Sequence, residues 1–556
     1  MYSNKENVNI LTDLLVKYGV HYAVVCPGSR NSPIVHNLQV CLSVTCFPCT
    51  DERSAGFYAL GMCQYTNEPV VVCVTSGTAL LDLSPSVAEA YYQHQRLIVL
   101  SADRPEQWIN QLDGQTIRQE GALGNFVLKT VSLPEPHNEE TYWYCNRLVN
   151  ESLLASSHHG GGPVHINVPI TEPLYEYTVS QLPEERLIRS FPGSISIEGR
   201  DFIIHQFLKA KRPMIVIGQD DPFTYKGLEK SLQIISRYGV LFNERLSIPD
   251  YDIVHFDEVL SGNTDERYQP DFLIFMGCTL VSKRLKVFLR KDPDLETWRV
   301  SMDDTVYDTF KSLRGIVQTD SADFLEHLAA EIEKTKKKSL PHEIWRKALD
   351  IAEKRAADYE PEYSEMAVVK YFEEQVEDVD YDYQVQYGNS SAVRLANILA
   401  WHHVWCNRGV NGIDGSLSTA AGMSIVCKEI VFCILGDLSF FYDANALWNQ
   451  NLRGNFRIIL MNNGGGAIFN QFDGLHNSPA REKLVRADHH TTAQGLCTQN
   501  DIGYFQAHSI EDMQMGVIQL LTRKTNRPML LEVFTDSETD TKVYEDYFKR
   551  QPVEGQ

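Results

Sequence analysis

From residue 8 onward the first third of the chain alternates two patterns of apolar and polar positions. Stretches with apolar residues three and four apart, such as "NILTDLLVKY", give way to short unbroken apolar runs: "HYAVV", "VVVCV" at 70–74 and "RLIVLS" at 96–101. The first spacing lays one apolar stripe along a helix, whereas a short continuous run fits a strand covered on both faces. Their alternation predicts an α/β domain on a doubly wound parallel sheet. Each run closes on turn chemistry, "CPGSRNSP", "TDERSAG", "TSGTA" and "ADRP". In such sheets the ligand crevice opens beyond the carboxyl ends of the strands, so these turns are the first place to seek function.

The theme recurs twice. "PMIVIGQDD" (213–221) and "DFLIFMGCTLVSKR" (271–284) read as strands with loops at their carboxyl ends. So do "YQVQYGNSSAVR", "HVWCNRGVNGIDG", "EIVFCILGDLS", "FRIILMNNGGG" and "PMLLEVFTD" in the last third. A Pro-containing polar stretch at 182–200 reads as a linker, and the charged stretch at 333–360 as a solvated linker or helix face. The chain thus divides into three α/β domains, at 1–185, 195–335 and 360–556. A length of 556 residues calls for several domains, because single cores stop growing at roughly 250–300 residues. The first and third domains share a style that suits a duplicated ancestor.

Charge narrows the partners. The formal net charge of −22 argues against nucleic acid or an anionic membrane surface, either of which needs a basic stripe. No apolar run approaches the ~20 residues that cross a bilayer, and "MYSNKENVNI" lacks the charged and apolar regions of a signal peptide. A cytoplasmic protein without membrane insertion is expected. Twelve scattered cysteines fit reduced, structural thiols. Anionic substrates would meet a repulsive field, so local clusters of arginine and lysine would have to capture them.

The runs "VFCIL" (431–435) and "FRIILM" (456–461) carry the reading furthest. The segment between them has helical length, and such a crossover suits a right-handed βαβ unit, which sets the carboxyl ends of its strands side by side. Asp437 and Asn463 then face one crevice. A carboxylate and an amide oxygen are hard donors of the kind magnesium or calcium takes. Magnesium rarely accepts an all-protein cage, so ligand phosphates should complete its shell, and Gly464, Gly465 and Gly466 let the backbone approach a diphosphate. Taken alone, Asp437 behind Gly436 reads first as a helix N-cap. The "NNGGG" after the next strand turns the reading toward a metal and a diphosphate. Neither G-x-x-x-x-G-K-[ST] nor a G-x-G-x-x-G between strand and helix occurs, which argues against a nucleotide.

Gly436-Asp437 followed by Asn462-Asn463 resembles the metal-diphosphate signature of enzymes that use thiamine diphosphate. More closely, "PGSRNSP" (27–33), "TDERSAGFYALG" (50–61), "TSGTA" (75–79), "SADRP" (101–105), "GGPVHINVPITEPLY" (161–175) and "SKR" (282–284) resemble one branch of them. With "GNSSAVR" (388–394), "NRGVNGIDGSLSTAAG" (407–422), "GDLSFFYDANAL" (436–447) and "NNGGGAIF" (462–469), the matches run in order through all three domains. That branch is the 2-succinyl-5-enolpyruvyl-6-hydroxy-3-cyclohexene-1-carboxylate synthase family of menaquinone biosynthesis. The resemblance implies a transferase that decarboxylates 2-oxoglutarate and adds the succinyl carbanion equivalent to isochorismate. It implies thiamine diphosphate with Mg2+ or Mn2+, the metal on Asp437, Asn463 and Gly465. Cofactor contacts would come from Pro27, Glu52, Ser390, Ile413, Gly436, Leu438, Ser439, Ala467 and Ile468. Glu52 would promote the imino tautomer of the aminopyrimidine, though with Asp51 it also suits the first turn of a helix at 52–65. Ile413 matches the bulky apolar residue that bends the cofactor. Since the family builds each site from two subunits, at least a homodimer is implied, with pairing into tetramers left open.

Both implied substrates are dicarboxylates, and six basic residues sit in turns expected to follow strands: Arg30, Arg104, Lys283, Arg284, Arg394 and Arg408. The planar guanidinium fork suits a carboxylate. Ser390, Arg394 and Arg408 would serve the succinyl group; Ser29, Arg30, Arg104, Gln115, Lys283 and Arg284 would serve isochorismate. Glu52, Gln115, Arg394 and Arg408 form the expected catalytic set, and Ile468 with Phe469 an apolar wall. Three departures stand out: Gly114 where the family usually has an amide, Glu120 where it has proline, and a spacing from Asp437 to Asn463 one residue shorter than usual. Another thiamine diphosphate-dependent 2-oxoacid decarboxylase or acetolactate-type synthase is the nearest alternative, and a catalytically silent ligand-binding homologue the next.

Overall fold

A computed structural model describes residues 1–190, 197–247, 255–262, 264–335, 341–471, 473–475 and 477–549. Three sheets organise them, and the strand pairs within each are parallel. The first runs across as Thr45–Pro48, Tyr22–Val25, Val70–Val74, Leu97–Asp103, Val164–Pro169 and Lys129–Ser132. The second runs Leu313–Gln318, Glu296–Ser301, Phe272–Met276, Pro213–Ile217 and Val240–Asn243, and the third Tyr383–Tyr387, Ile430–Gly436, Phe456–Asn462, Met529–Phe534 and Gly503–Ala507. Helices connect the parallel strands and cover both faces, as burial of such sheets requires. This is the doubly wound α/β class expected. Among the described residues no helix is long and apolar enough to cross a membrane, and all twelve cysteines are free thiols.

Two expectations change. "HVWCNRG" forms no strand; Trp405 makes one isolated bridge to Gln386 and the chain continues as a loop. The stretch at 182–200 is not a loose linker over its described part. Asn146 Nδ2 donates to Glu185 Oε2 at 2.6 Å and Ile188 N to Asn150 Oδ1 at 2.7 Å, strapping it to helix Glu139–Ala155. Helix Ile197–Lys209 starts inside it, and 191–196 lie outside the described residues. Within 333–360 the helix reading holds for Pro341–Ala357, whose buried Trp345 packs against Phe242, Tyr268 and Phe288 of the middle sheet's flank. The lysines at 336–338 lie outside the described residues.

The first and third sheets meet through two helices. Glu52–Thr66 contributes Phe57, Tyr58, Leu60 and Met62, and Ser416–Val426 contributes Leu417, Ala420, Ala421 and Met423, to one apolar cluster. Two glycines set the approach: a Cβ on Gly61 would lie 2.0 Å from the Thr419 carbonyl oxygen, and one on Gly422 2.2 Å from that of Tyr58. Backbone thus meets backbone at this crossing. The contact ties the amino-terminal turns to the carboxyl-terminal ones within a single chain.

Candidate active site

Strands Ile430–Gly436 and Phe456–Asn462 are neighbours in register, Gly436 opposite Met461, so both release their chains at one edge. Asp437 is the first residue of a short helix, Asp437–Tyr442, and the cap position falls on Gly436, so Asp437 is not the N-cap its sequence position suggests. Oδ1 accepts from Leu438 N at 2.6 Å, and Oδ2 accepts from Gly465 N at 3.0 Å in the glycine loop. Burial raises its pKa, opposed by His489, whose Nε2 is 3.3 Å away, and by the N–H groups of Leu438, Gly465 and Gly464. Gly464 holds φ at +77°, a left-handed conformation that favours glycine, and a Cβ on Gly465 would stand 2.7 Å from Asp488 Oδ1. Asn463 Nδ2 donates to Glu365 Oε1 and to Asp540 Oδ2, each at 3.0 Å.

A second loop, 406–415, stands over this edge. Asn389 Nδ2 donates to the carbonyls of Asn407 and Gly412, and its Oδ1 accepts from Arg408 Nη1 at 3.0 Å. The neighbouring Ser390 holds φ at +74°, rare for a residue with a side chain and a form of strain that clusters at functional sites. Ile413 is 40% exposed, unusual for isoleucine, and its carbonyl accepts from Ser439 Oγ at 3.0 Å. Glu89, on helix Ser84–Tyr92 of the first domain, accepts from Gly409 N at 2.6 Å and from Val410 N at 2.8 Å. Sequence reasoning gave Asn389 and Glu89 no role, because nothing local marks a side chain whose partners lie in a separate loop, 18 residues on for Asn389 and 320 for Glu89.

Three of the expected basic residues come together. Burial lowers the Arg394 pKa; Tyr544 and Asp257 oppose this, while Arg408 and Arg284 add to it. Arg394 Nη1 and Arg408 Nε are buried with no hydrogen-bond partner among the described residues. Arg284 lies 3.8 Å from Asp257 Oδ2 and its guanidinium stacks over Phe548. Lys283 opens helix Lys283–Leu289, which Ser282 caps, and Glu244 accepts from Val281 N and Ser282 N just before it. A narrow cleft lined by Ser391, Arg394, Ala467, Ile468, Asp540 and Tyr544 joins this cluster to the Asn463 turn. Phe469 packs beside Gly466, where a Cβ would meet its ring at 2.8 Å.

The first-domain candidates occupy their own strand ends. Asp51 caps helix Glu52–Thr66 by accepting from Arg53 N and Ser54 N, which relieves Glu52 of that task. Burial raises the Glu52 pKa, with Asp82 and Asp51 adding to the rise. Among the described residues no hydrogen bond joins Glu52 to Asp437 or Asn463. Pro27 and Ser29 are exposed, whereas Arg30 is buried and donates to Ile170 O and Glu172 Oε1, each at 3.0 Å. Arg104 donates to the Gly114 carbonyl at 3.1 Å and pairs with Asp113 at 3.0 Å, so Gly114 anchors this arginine through its backbone. Gln115 is exposed at φ +55°. Buried Gln119, from the departing "RQEG", is the hub beneath: it accepts from Gly77 N at 2.7 Å and donates to Asn167 Oδ1 at 2.8 Å and to Ala102 O at 3.1 Å.

The donors fit the groups the sequence implied. One carboxylate and one amide beside a glycine turn suit a hard divalent cation and a diphosphate, and unspent guanidinium N–H groups suit a carboxylate. Among the described residues no three His, Cys, Asp or Glu side chains form a metal cluster. Fold and turns together define a thiamine diphosphate enzyme, and residues 6–122 match the family described as thiamine pyrophosphate enzyme, N-terminal TPP binding domain. Over 99% of both chains, the protein is 41% identical to the 2-succinyl-5-enolpyruvyl-6-hydroxy-3-cyclohexene-1-carboxylate synthase of Phocaeicola vulgatus and 40% identical to that of Bacteroides thetaiotaomicron. The synthase of Flavobacterium johnsoniae is 35% identical over 96% of each. The chain belongs to the 2-succinyl-5-enolpyruvyl-6-hydroxy-3-cyclohexene-1-carboxylate synthase family.

Proposed function

We propose that the protein is the transferase that decarboxylates 2-oxoglutarate and adds the succinyl unit to isochorismate, releasing CO2, in menaquinone biosynthesis. One observation carries the choice of substrates: among the described residues, buried Arg394 Nη1 and Arg408 Nε have no partner, and Arg394 lines a cleft with Ala467, Ile468 and Asp540. Leaving such donors unmade in a folded core costs about 1–3 kcal/mol each, and a substrate carboxylate would satisfy them. Thiamine diphosphate, when bound, supplies the carbon nucleophile and the electron sink. Asp437, Asn463 and Gly465 would hold Mg2+ or Mn2+; Gly436, Leu438, Ser439, Ala467 and Ile468 would line the diphosphate end.

Glu52 would hold and exchange a proton with the aminopyrimidine, a task suited to a carboxyl whose pKa burial has raised. Pro27, Ser390 and Ile413 would fix the cofactor's shape. Ser390, Arg394 and Arg408 would take 2-oxoglutarate; Ser29, Arg30, Arg104, Gln115, Lys283 and Arg284 would take isochorismate, with Phe469 and Ile468 excluding water. Membership of a family that builds each site from two subunits supports a homodimer in which Glu52 of one subunit and Asp437 of the other serve one cofactor. The test is incubation with thiamine diphosphate, Mg2+ and 2-oxoglutarate, with and without isochorismate. Mass-spectrometric appearance of the adduct as isochorismate is lost supports the reading. CO2 release indifferent to isochorismate would point to a 2-oxoacid decarboxylase, and no turnover to a silent homologue.

A further inference from the structure

The carboxyl-terminal helix, Ser537–Lys549, received no role from the sequence, yet through Asp540 it touches Asn463 of the proposed cation site. Asp540 is buried there, and each of its oxygens is engaged. Oδ1 accepts from Glu365 N at 2.8 Å; Oδ2 accepts from Thr535 Oγ1 at 2.8 Å and from Asn463 Nδ2 at 3.0 Å. Glu365, buried at the start of helix Glu365–Val376, takes the same Asn463 nitrogen at 3.0 Å through Oε1. The Nδ2 end of the amide faces the two carboxyl groups and donates to one oxygen of each, which places the amide oxygen on the opposite side. Both amide hydrogens are therefore spent, and the oxygen is all that Asn463 has left to offer.

We propose that Asp540, seconded by Glu365, is a positioning residue that locks the Asn463 amide so that its oxygen serves the divalent cation. The inference rests on the cation site proposed above. It explains why residue 463 is an amide: an aspartate would set a third carboxylate against the pair, whereas Asn463 offers two donors to them and one acceptor to the metal. It also gives the helix a second task beside Tyr544, one turn further on, which reaches toward Arg394. Groups that orient a metal's ligands typically contribute about 10- to 100-fold in metal affinity.

The test measures Mn2+ binding in the presence of thiamine diphosphate, by the electron paramagnetic resonance signal of the free ion, alongside thermal unfolding without metal. Asp540→Asn, which can turn an NH2 toward Asn463 and so release the amide, should weaken Mn2+ binding by about 10- to 100-fold. Thr535→Val, which removes only the hydroxyl that steadies Asp540, should weaken it by a smaller factor and is the decisive variant should Asp540→Asn not fold. Mn2+ affinity equal to wild type in a folded Asp540→Asn, or in Thr535→Val when that variant alone folds, overturns the proposal while leaving the cation site intact. Failure of the wild-type protein to bind Mn2+ with thiamine diphosphate overturns the site itself.

Discussion

Replacing Glu89 by glutamine tests whether a first-domain side chain sets the geometry of the 406–415 loop. The carboxylate is buried and takes two successive N–H groups, Gly409 at 2.6 Å and Val410 at 2.8 Å, immediately after Arg408. Gln93 Nε2 also donates to Oε1, so glutamine keeps most bonds by holding its oxygen there and turning its NH2 toward Val410 N, which loses its acceptor. A bond to a charged group contributes about 1.5–3 kcal/mol. If the loop shifts to relieve the mismatch, that cost falls on Arg408 and on whatever it binds. At about 1.4 kcal/mol per decade, the KM for 2-oxoglutarate should rise about ten- to hundredfold. The KM for isochorismate should move much less, since its proposed contacts lie on other turns. Steady-state kinetics with each substrate varied in turn reads both values. An unchanged KM for 2-oxoglutarate with only a lower melting temperature, or equal rises for both substrates, would refute the loop-setting role.

Glu52→Gln should retain thiamine diphosphate binding, read by fluorescence titration, while turnover falls by about 10²–10⁴-fold, the usual share of a positioned acid or base. Arg394→Ala should raise the KM for 2-oxoglutarate far more than that for isochorismate; equal effects would overturn the division of basic residues drawn above. Asp443 gives a pH test: burial pushes its pKa up to about 7 from 3.8, so the folded chain keeps a proton that the unfolded chain releases. Its contribution is full below about pH 4 and is lost as pH rises through about 7, by up to about 1.4 kcal/mol per pH unit. The melting temperature should therefore fall over that interval, and Asp443→Asn should flatten the slope; a variant that keeps the wild-type slope would contradict this.

Central strands were legible because burial on both faces writes an unbroken apolar run: Val70–Val74 and Phe456–Asn462 are buried throughout. Three edge strands were not, since Lys129–Ser132, Leu313–Gln318 and Gly503–Ala507 bury little and carry polar residues, whereas the edge strand Tyr383–Tyr387 was, its last three residues being buried. The turns at the carboxyl ends could be read because their chemistry is local: a Gly-Asp, a glycine triplet, an arginine after a strand. What supports them is not local. Glu89 reaches Gly409, Gln119 reaches Gly77, and Asp540 reaches Asn463, each across a separation that only the folded chain closes. Such residues look like ordinary helix or loop positions until their partners arrive.

The meeting of Gly61 with Thr419 and of Gly422 with Tyr58 has a consequence for the assembled enzyme. These contacts leave almost no slack between the portion of a subunit that would cradle the ring end of one coenzyme and the portion that would grip the phosphate tail of the other. In the homodimer proposed above, a tilt at one catalytic centre would be carried through this rigid joint to its twin, so the pair would breathe together.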